Sequence, residues 1–159
     1  MRHNVHESET VVHLFDTMAM PTVDYARLEV GGVGCWIWQA HENQYYLGRL
    51  IIRLARVETQ SLSKCTMEEW TSLHENIRRY ENILRRLFEP DRFNYGQLGN
   101  TYPQLHVHAV PRYMSKRDWR GITFEDKRWG DNWSPTPRSP LSLEKTYEFA
   151  AWFRSEVGK

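Results

Sequence analysis

The sequence predicts an α+β fold: an antiparallel sheet of about five strands, with one long helix packed on it and a second helix at the C-terminus. Three observations carry this reading. Short runs rich in β-branched and aromatic residues flank a single long amphipathic segment. Strands and helices do not alternate as a parallel sheet would require. A stretch beyond the long helix alternates apolar and polar residues at a period of two.

Between Tyr25 and Ala40, two β-prone runs are broken by Gly31, Gly32 and Gly34, which predicts an antiparallel pair joined by a glycine-rich turn. After the polar residues His41 to Gln44, the run Tyr45 to Leu54 reads as a third strand. Thr66 and Glu69 form a capping box. Trp70, Leu73, Ile77, Tyr80, Leu84 and Leu87 then recur at steps of three and four, so the long helix buries that face. Arg78, Arg79, Arg85 and Arg86 lie mostly off the stripe and read as a solvated back. Pro90 ends the helix, since proline restricts its predecessor and cannot donate to the ladder. Phe93 to Gly99 and Gln104 to Tyr113 are the next two strands. Leu105, Val107 and Ala109 alternate in the second with Gln104, His106, His108 and Val110. An aromatic, Gly- and Pro-punctuated loop follows, ordered by Trp119, Phe124, Trp129 and Trp133. Ser139-Pro140 opens the final helix, with Leu143, Tyr147, Ala150 and Val157 near one face. Residues 1–12 are polar and without period, a flexible arm. Residues 13–159 form one domain, with 114–159 as an aromatic-rich extension.

Composition narrows the function. The chain has 159 residues, 40% of them hydrophobic, which suits one compact domain. Lys plus Arg is 21 against 20 for Asp plus Glu, so no basic field exists to hold a polynucleotide by bulk charge. No apolar run approaches the roughly 18 residues needed to span a bilayer, and the N-terminal residues lack the apolar core of a secretory signal, so a cytoplasmic location without membrane attachment is expected. Cys35 and Cys65 are too few and too far apart for a disulfide framework or a thiolate metal site. Aromatic residues make up 13% of the chain, enough to fill a core, cover an interface or stack on a base.

The chemistry concentrates at His106 and His108. Two residues apart on a strand, both rings project from one face, about 7 Å apart along the chain. Such a pair supplies nucleophile, acid, base or metal ligand near neutral pH, although an isolated pair is as readily an exposed feature of a strand.

The flanks sharpen the reading. The run from Phe93 to Tyr113, with Gln104, His106 and His108 in the places of a His-x-His-x-His pattern and Pro111-Arg112 after it, resembles the signature of the histidine triad superfamily of nucleotide hydrolases and transferases. Asn43-Gln44-Tyr45-Tyr46-Leu47-Gly48-Arg49 resembles that family's turn leading into a Gly-His strand, with Arg49 in the place of the histidine. The likeness spans roughly residues 35 to 135. It implies that His106 attacks the α-phosphorus of a nucleotide and carries a nucleotidyl group, with a dinucleoside polyphosphate or nucleoside phosphoramidate as substrate. His108 would bond the phosphate and assist the leaving group. Asn94, Asn100 and Thr101 would contact phosphate or else cap their turns, Asn43 would contact the ribose or hold its turn, and Arg49 would help bind a polyphosphate or point outward. The resemblance also implies a homodimer and neither catalytic metal nor cofactor. His41 and His74, distant in sequence from the pair, complete no ligand set. Gln104 cannot titrate, so any proton relay through the first triad place is lost. The alternative is therefore a catalytically weak nucleotide-binding protein of the same fold. A third reading makes the aromatic tail an interaction surface.

Overall fold

The computed structural model describes residues 22–159. The expected N-terminal arm, residues 1–12, lies outside them. A short helix α1 (Tyr25–Leu28) leads into strands β1 (Glu29–Val33), β2 (Trp36–Ala40) and β3 (Leu50–Leu54). The long helix α2 (Met67–Phe88) follows, then β4 (Arg92–Gly96) and β5 (His106–Arg112). A small hairpin of β6 (Arg117–Trp119) and β7 (Ile122–Phe124) precedes helix α3 (Leu143–Val157). The five larger strands form one sheet in the order β1-β2-β3-β5-β4, antiparallel throughout. This is the predicted α+β architecture.

One face of the sheet is the core. Trp36, Trp38, Ala40, Leu50, Ile52, Leu54, Val107 and Ala109 point into it and meet Leu73, Tyr80, Leu84 and Phe88 of α2. The capping box at Thr66 is present, with the Thr66 hydroxyl accepting from the Glu69 amide and the Glu69 carboxylate accepting from the Thr66 amide. The buried stripe, however, runs through Glu69, Leu73, Asn76, Tyr80, Leu84 and Phe88, and Trp70 is 40% exposed. At 3.6 residues per turn Trp70 is rotated by about 100° from Glu69 and falls beside the row. Asn76 enters the core because its amide is fully employed. Its oxygen accepts from Val33 N (3.0 Å) and Trp38 Nε1 (2.6 Å), and its nitrogen donates to the carbonyls of Val33 (2.9 Å) and Ser72 (2.7 Å).

Other boundaries also differ from the expected ones. Tyr25–Leu28 is a helical turn rather than strand, capped by the Asp24 carboxylate, which accepts from Ala26 N. The third strand begins at Leu50, not Tyr45. Gln44 explains the delay: its Nε2 donates to the carbonyls of His41 and Arg49 (2.7 and 2.8 Å) and its Oε1 accepts from Gly48 N, so backbone groups that a strand would pair are held inside a loop. Gly48 has φ of 91°, and a Cβ there would come within 2.4 Å of Leu84 Cδ1, so the loop lies directly on α2. The last helix is capped by Ser142, whose hydroxyl accepts from Lys145 N, three residues later than the Ser139-Pro140 start. Ser139 instead closes a preceding turn on Leu141 N. The strands expected over 93–99 and 104–113 are shorter, at Arg92–Gly96 and His106–Arg112.

The second face of the sheet carries Arg53, His106, His108, Asn94 and Gly96, set there by register: Arg53 opposes His106, and His108 lies between Ile51 and Gly96. The segment after β7 crosses this face. Asp126 forms a buried ion pair with Arg112 (2.7 Å), and Trp133 lies against Gly96, where a Cβ would sit 3.2 Å from the indole. No described helix is long and apolar enough to cross a membrane.

Candidate active site

Strand β5 aims both histidines at the second face, where a backbone carbonyl sets the proton of His106 and the Arg49 guanidinium that of His108. His106 is buried to within 8% exposure, and its Nδ1 lies 2.8 Å from the Gln104 carbonyl oxygen. A carbonyl only accepts, so Nδ1 carries the proton and Nε2 keeps its lone pair. Gln104 is itself buried and fixed at both ends of its amide. Its Nε2 donates to the Leu54 carbonyl (2.6 Å), and its Oε1 accepts from the Tyr102 hydroxyl (3.0 Å). The Gln104 side chain therefore locks strand β5 to the end of β3, while its backbone orients the His106 ring. Tyr102, 59% exposed, places its ring 6.2 Å from His106 on the open side.

His108 lies 5.1 Å from His106, ring centre to ring centre. Its Nδ1 is 3.3 Å from an Arg49 guanidinium nitrogen, which can only donate, so Nδ1 accepts and the His108 proton is on Nε2. Burial, with the Arg49 cation and His106 beside it, pushes the His108 imidazole down to about 4. His41 completes a cluster. Its ring is 5.9 Å from His108, and its Nδ1 accepts from Asn43 N. Burial chiefly, then Arg49 and His108, holds it well below the usual histidine range. His41 is thus close to the pair in space, although distant in sequence, whereas His74 is exposed on α2. Among the described residues no group of three or more His, Cys, Asp or Glu side chains is arranged to hold a metal ion.

Arg49 is 4% exposed and sits behind His108 rather than at the mouth of the site. It donates to the Thr136 hydroxyl (3.0 Å), and its guanidinium lies 5.0 Å from the Trp133 ring centre. Its Nε has no partner, and burial lowers the guanidinium to about 10, which still leaves it charged at neutral pH. Trp133 also lies 5.3 Å from the His108 ring. Thus one tryptophan packs against both His108 and Arg49.

The other predicted residues divide. Asn43 donates to the Pro137 carbonyl (2.8 Å) and accepts from Tyr45 N (2.9 Å), fastening the loop after β2 to the C-terminal segment. Asn94 lies further along the same face, where its oxygen accepts from Arg112 (2.8 Å). Asn100 and Thr101 are exposed on the loop between β4 and β5. Sequence reasoning missed Tyr102, Trp133 and Thr136 as parts of the site. The spacing of Tyr102 from His106 was readable, but nothing in the sequence places Trp133 over a strand that precedes it by more than 20 residues.

Neither a family model nor a curated protein sequence matches the chain. Solved structures do match. A histidine triad protein from Sinorhizobium meliloti 1021 is 21% identical with a TM-score of 0.61, over 85% of this chain and 96% of its own. One from Marinobacter aquaeolei VT8 is 19% identical with a TM-score of 0.62, over 82% of this chain and 88% of its own. The chain has the histidine triad fold. A third match at 14% identity and a TM-score of 0.61, covering 82% of this chain and 83% of its own, is described as a hypothetical histidine triad nucleotide-binding protein from Sulfolobus tokodaii strain 7.

Proposed function

We propose that this chain is a histidine triad protein that hydrolyses or transfers nucleotides at the α-phosphorus, through a covalent intermediate on His106. The observation that carries the proposal is the 2.8 Å contact between His106 Nδ1 and the Gln104 carbonyl, which leaves Nε2 as an unprotonated nucleophile beside a second histidine. In the first step Nε2 attacks phosphorus, and the bond from phosphorus to the leaving group breaks with its electron pair on the leaving atom. The imidazole, still protonated at Nδ1, carries the new positive charge, and the Gln104 carbonyl stabilises it. In the second step water attacks phosphorus, the P–N electrons return to Nε2, and the water proton passes to solvent. His108 Nε2–H donates to the leaving group or to a phosphoryl oxygen. In this reading Thr101 and Asn100, exposed on the loop before β5, contact the incoming nucleotide. The reading includes a cytosolic homodimer, joined through the open β4 edge and needing neither metal nor cofactor.

Intact-mass analysis after mixing with a panel of dinucleoside polyphosphates and nucleoside phosphoramidates tests it. A nucleotidyl mass increment that disappears in His106→Asn is expected. Equal nucleotide release by wild type and His106→Asn would end the catalytic proposal. Binding without any adduct would leave the weaker nucleotide-binding reading.

A further inference from the structure

Arg49 is 4% exposed, with the Trp133 ring 5.0 Å from its guanidinium and one of its nitrogens 3.3 Å from His108 Nδ1. We propose that Arg49 is a positioning residue that holds His108 as a neutral Nε2–H donor, and that the site therefore selects substrates whose leaving group departs as a phosphate anion rather than as an amine. The proposal rests on the reading of His106 as nucleophile and goes beyond it by choosing between the two leaving-group classes.

A guanidinium has no acceptor, so the 3.3 Å contact forces His108 Nδ1 to be a lone pair. Protonating that nitrogen would set two cations against each other in a buried place. The groups facing His108 are Arg49 from the loop before β3, His41 from the loop after β2, His106 on its own strand, and Trp133 and Thr136 from the C-terminal segment. Among the described residues no carboxylate hydrogen-bonds to His108; Glu42, on the same loop, acts on the Arg49 charge but pairs with neither group. Arg49 is itself held by the Thr136 hydroxyl and the Trp133 ring, and it cannot swing away without losing both.

The consequence concerns the bond that breaks. When His106 Nε2 attacks an anhydride, the departing phosphate takes the P–O electron pair and leaves as an anion, which a neutral N–H stabilises by hydrogen bonding. When it attacks a phosphoramidate, the departing nitrogen takes the P–N pair and must gain a proton to leave as an amine. Neutral His108 is a donor but not an acid at neutral pH, and Gln104 cannot supply the proton. Anhydrides are thus served and phosphoramidates are not.

The test pairs spectroscopy with kinetics. In wild type, nitrogen NMR of labelled histidine should show His108 protonated at Nε2 and free of titration from pH 8 down to 5.5. In Arg49→Met its titration should move upward toward the ordinary histidine range without reaching it, since burial and His106 remain. Wild type should turn over an adenosine dinucleotide anhydride faster than an AMP alkylamidate by about 100-fold, the scale of a missing general acid. Arg49→Met should narrow that ratio by about tenfold at pH 6, where part of its His108 population becomes an acid. A wild-type preference for the amidate, or a His108 that titrates normally beside an intact Arg49, would overturn the proposal. If Arg49→Met does not fold, the wild-type spectrum and substrate ratio decide it alone. Failure of the parent reading looks different: neither substrate would label His106, whatever the state of His108.

Discussion

Replacing Asn76 with leucine tests how this fold joins its first hairpin to the long helix. Asn76 is fully buried, and its amide satisfies Val33 N, Val33 O and Trp38 Nε1, besides a helix carbonyl. Leucine has nearly the same volume, so no cavity opens, but Val33 N and Trp38 Nε1 lose their partner, while the Val33 carbonyl keeps the Ser72 hydroxyl (3.1 Å). An unsatisfied buried polar group costs about 1–3 kcal/mol, and Val33 is only half-buried, so water recovers part of its share. Leucine returns about 0.5 kcal/mol through helix propensity. The net expectation is a loss of about 2–4 kcal/mol, a large part of the stability of a domain this size. Urea unfolding followed by tryptophan fluorescence measures it as a lower midpoint at unchanged slope. Trp38→Phe removes one stranded donor, so the double variant should lose less than the sum of the two single changes. A loss below about 1 kcal/mol in Asn76→Leu, or full additivity with Trp38→Phe, would refute the account.

His41 and His108 are both held neutral by the fold, so between the unfolded histidine value near 6.5 and about 4 the unfolded chain binds more protons. Stability should therefore be full above pH 6.5 and decline below it. Urea midpoints at pH 7.5 and 5.0 check this, and His108→Gln should flatten the slope; a midpoint that rises at pH 5.0 contradicts it. Asp126→Ala leaves the buried Arg112 without its carboxylate, and a loss of about 3 kcal/mol is expected, at the low end because Asn94 and two carbonyls still accept from the guanidinium. Thermal unfolding would show it, and a shift of less than a degree or two would not fit. Gly96→Ala places a Cβ 3.2 Å from the Trp133 indole and should cost about 1 kcal/mol by overpacking, a penalty that vanishes when Trp133 is alanine. An equal penalty in both backgrounds would mean that Trp133 does not press on the strand.

Local signals in the sequence specified the long helix, the hairpin with its glycines and the histidine strand, because capping, period and turn chemistry are short-range properties. The start of β3 was not legible, since Gln44 holds the preceding loop through bonds that only a folded chain brings together. Asn76 defeated the stripe for the same reason: a polar residue at a core position is explained by partners on β1 and β2. At the site, the orientation of both histidines on one face followed from strand geometry. The charge of Arg49 was visible in sequence, but its burial and its contact with His108 were not.

The crossing of the sheet by residues 126–137 bears on what counts as the smallest working unit. A fragment ending at Tyr113 would contain all five large strands, both histidines and the long helix, and would look self-sufficient in a sequence comparison. It would also strip the indole and hydroxyl from Arg49, the carboxylate from Arg112 and the carbonyl clasp from Asn43. Freed to rotate into water, Arg49 would release its grip on the imidazole in front of it. The tail is better regarded as the back wall of the histidine site than as an appendix, and shortening the chain there would disturb those side chains before the sheet.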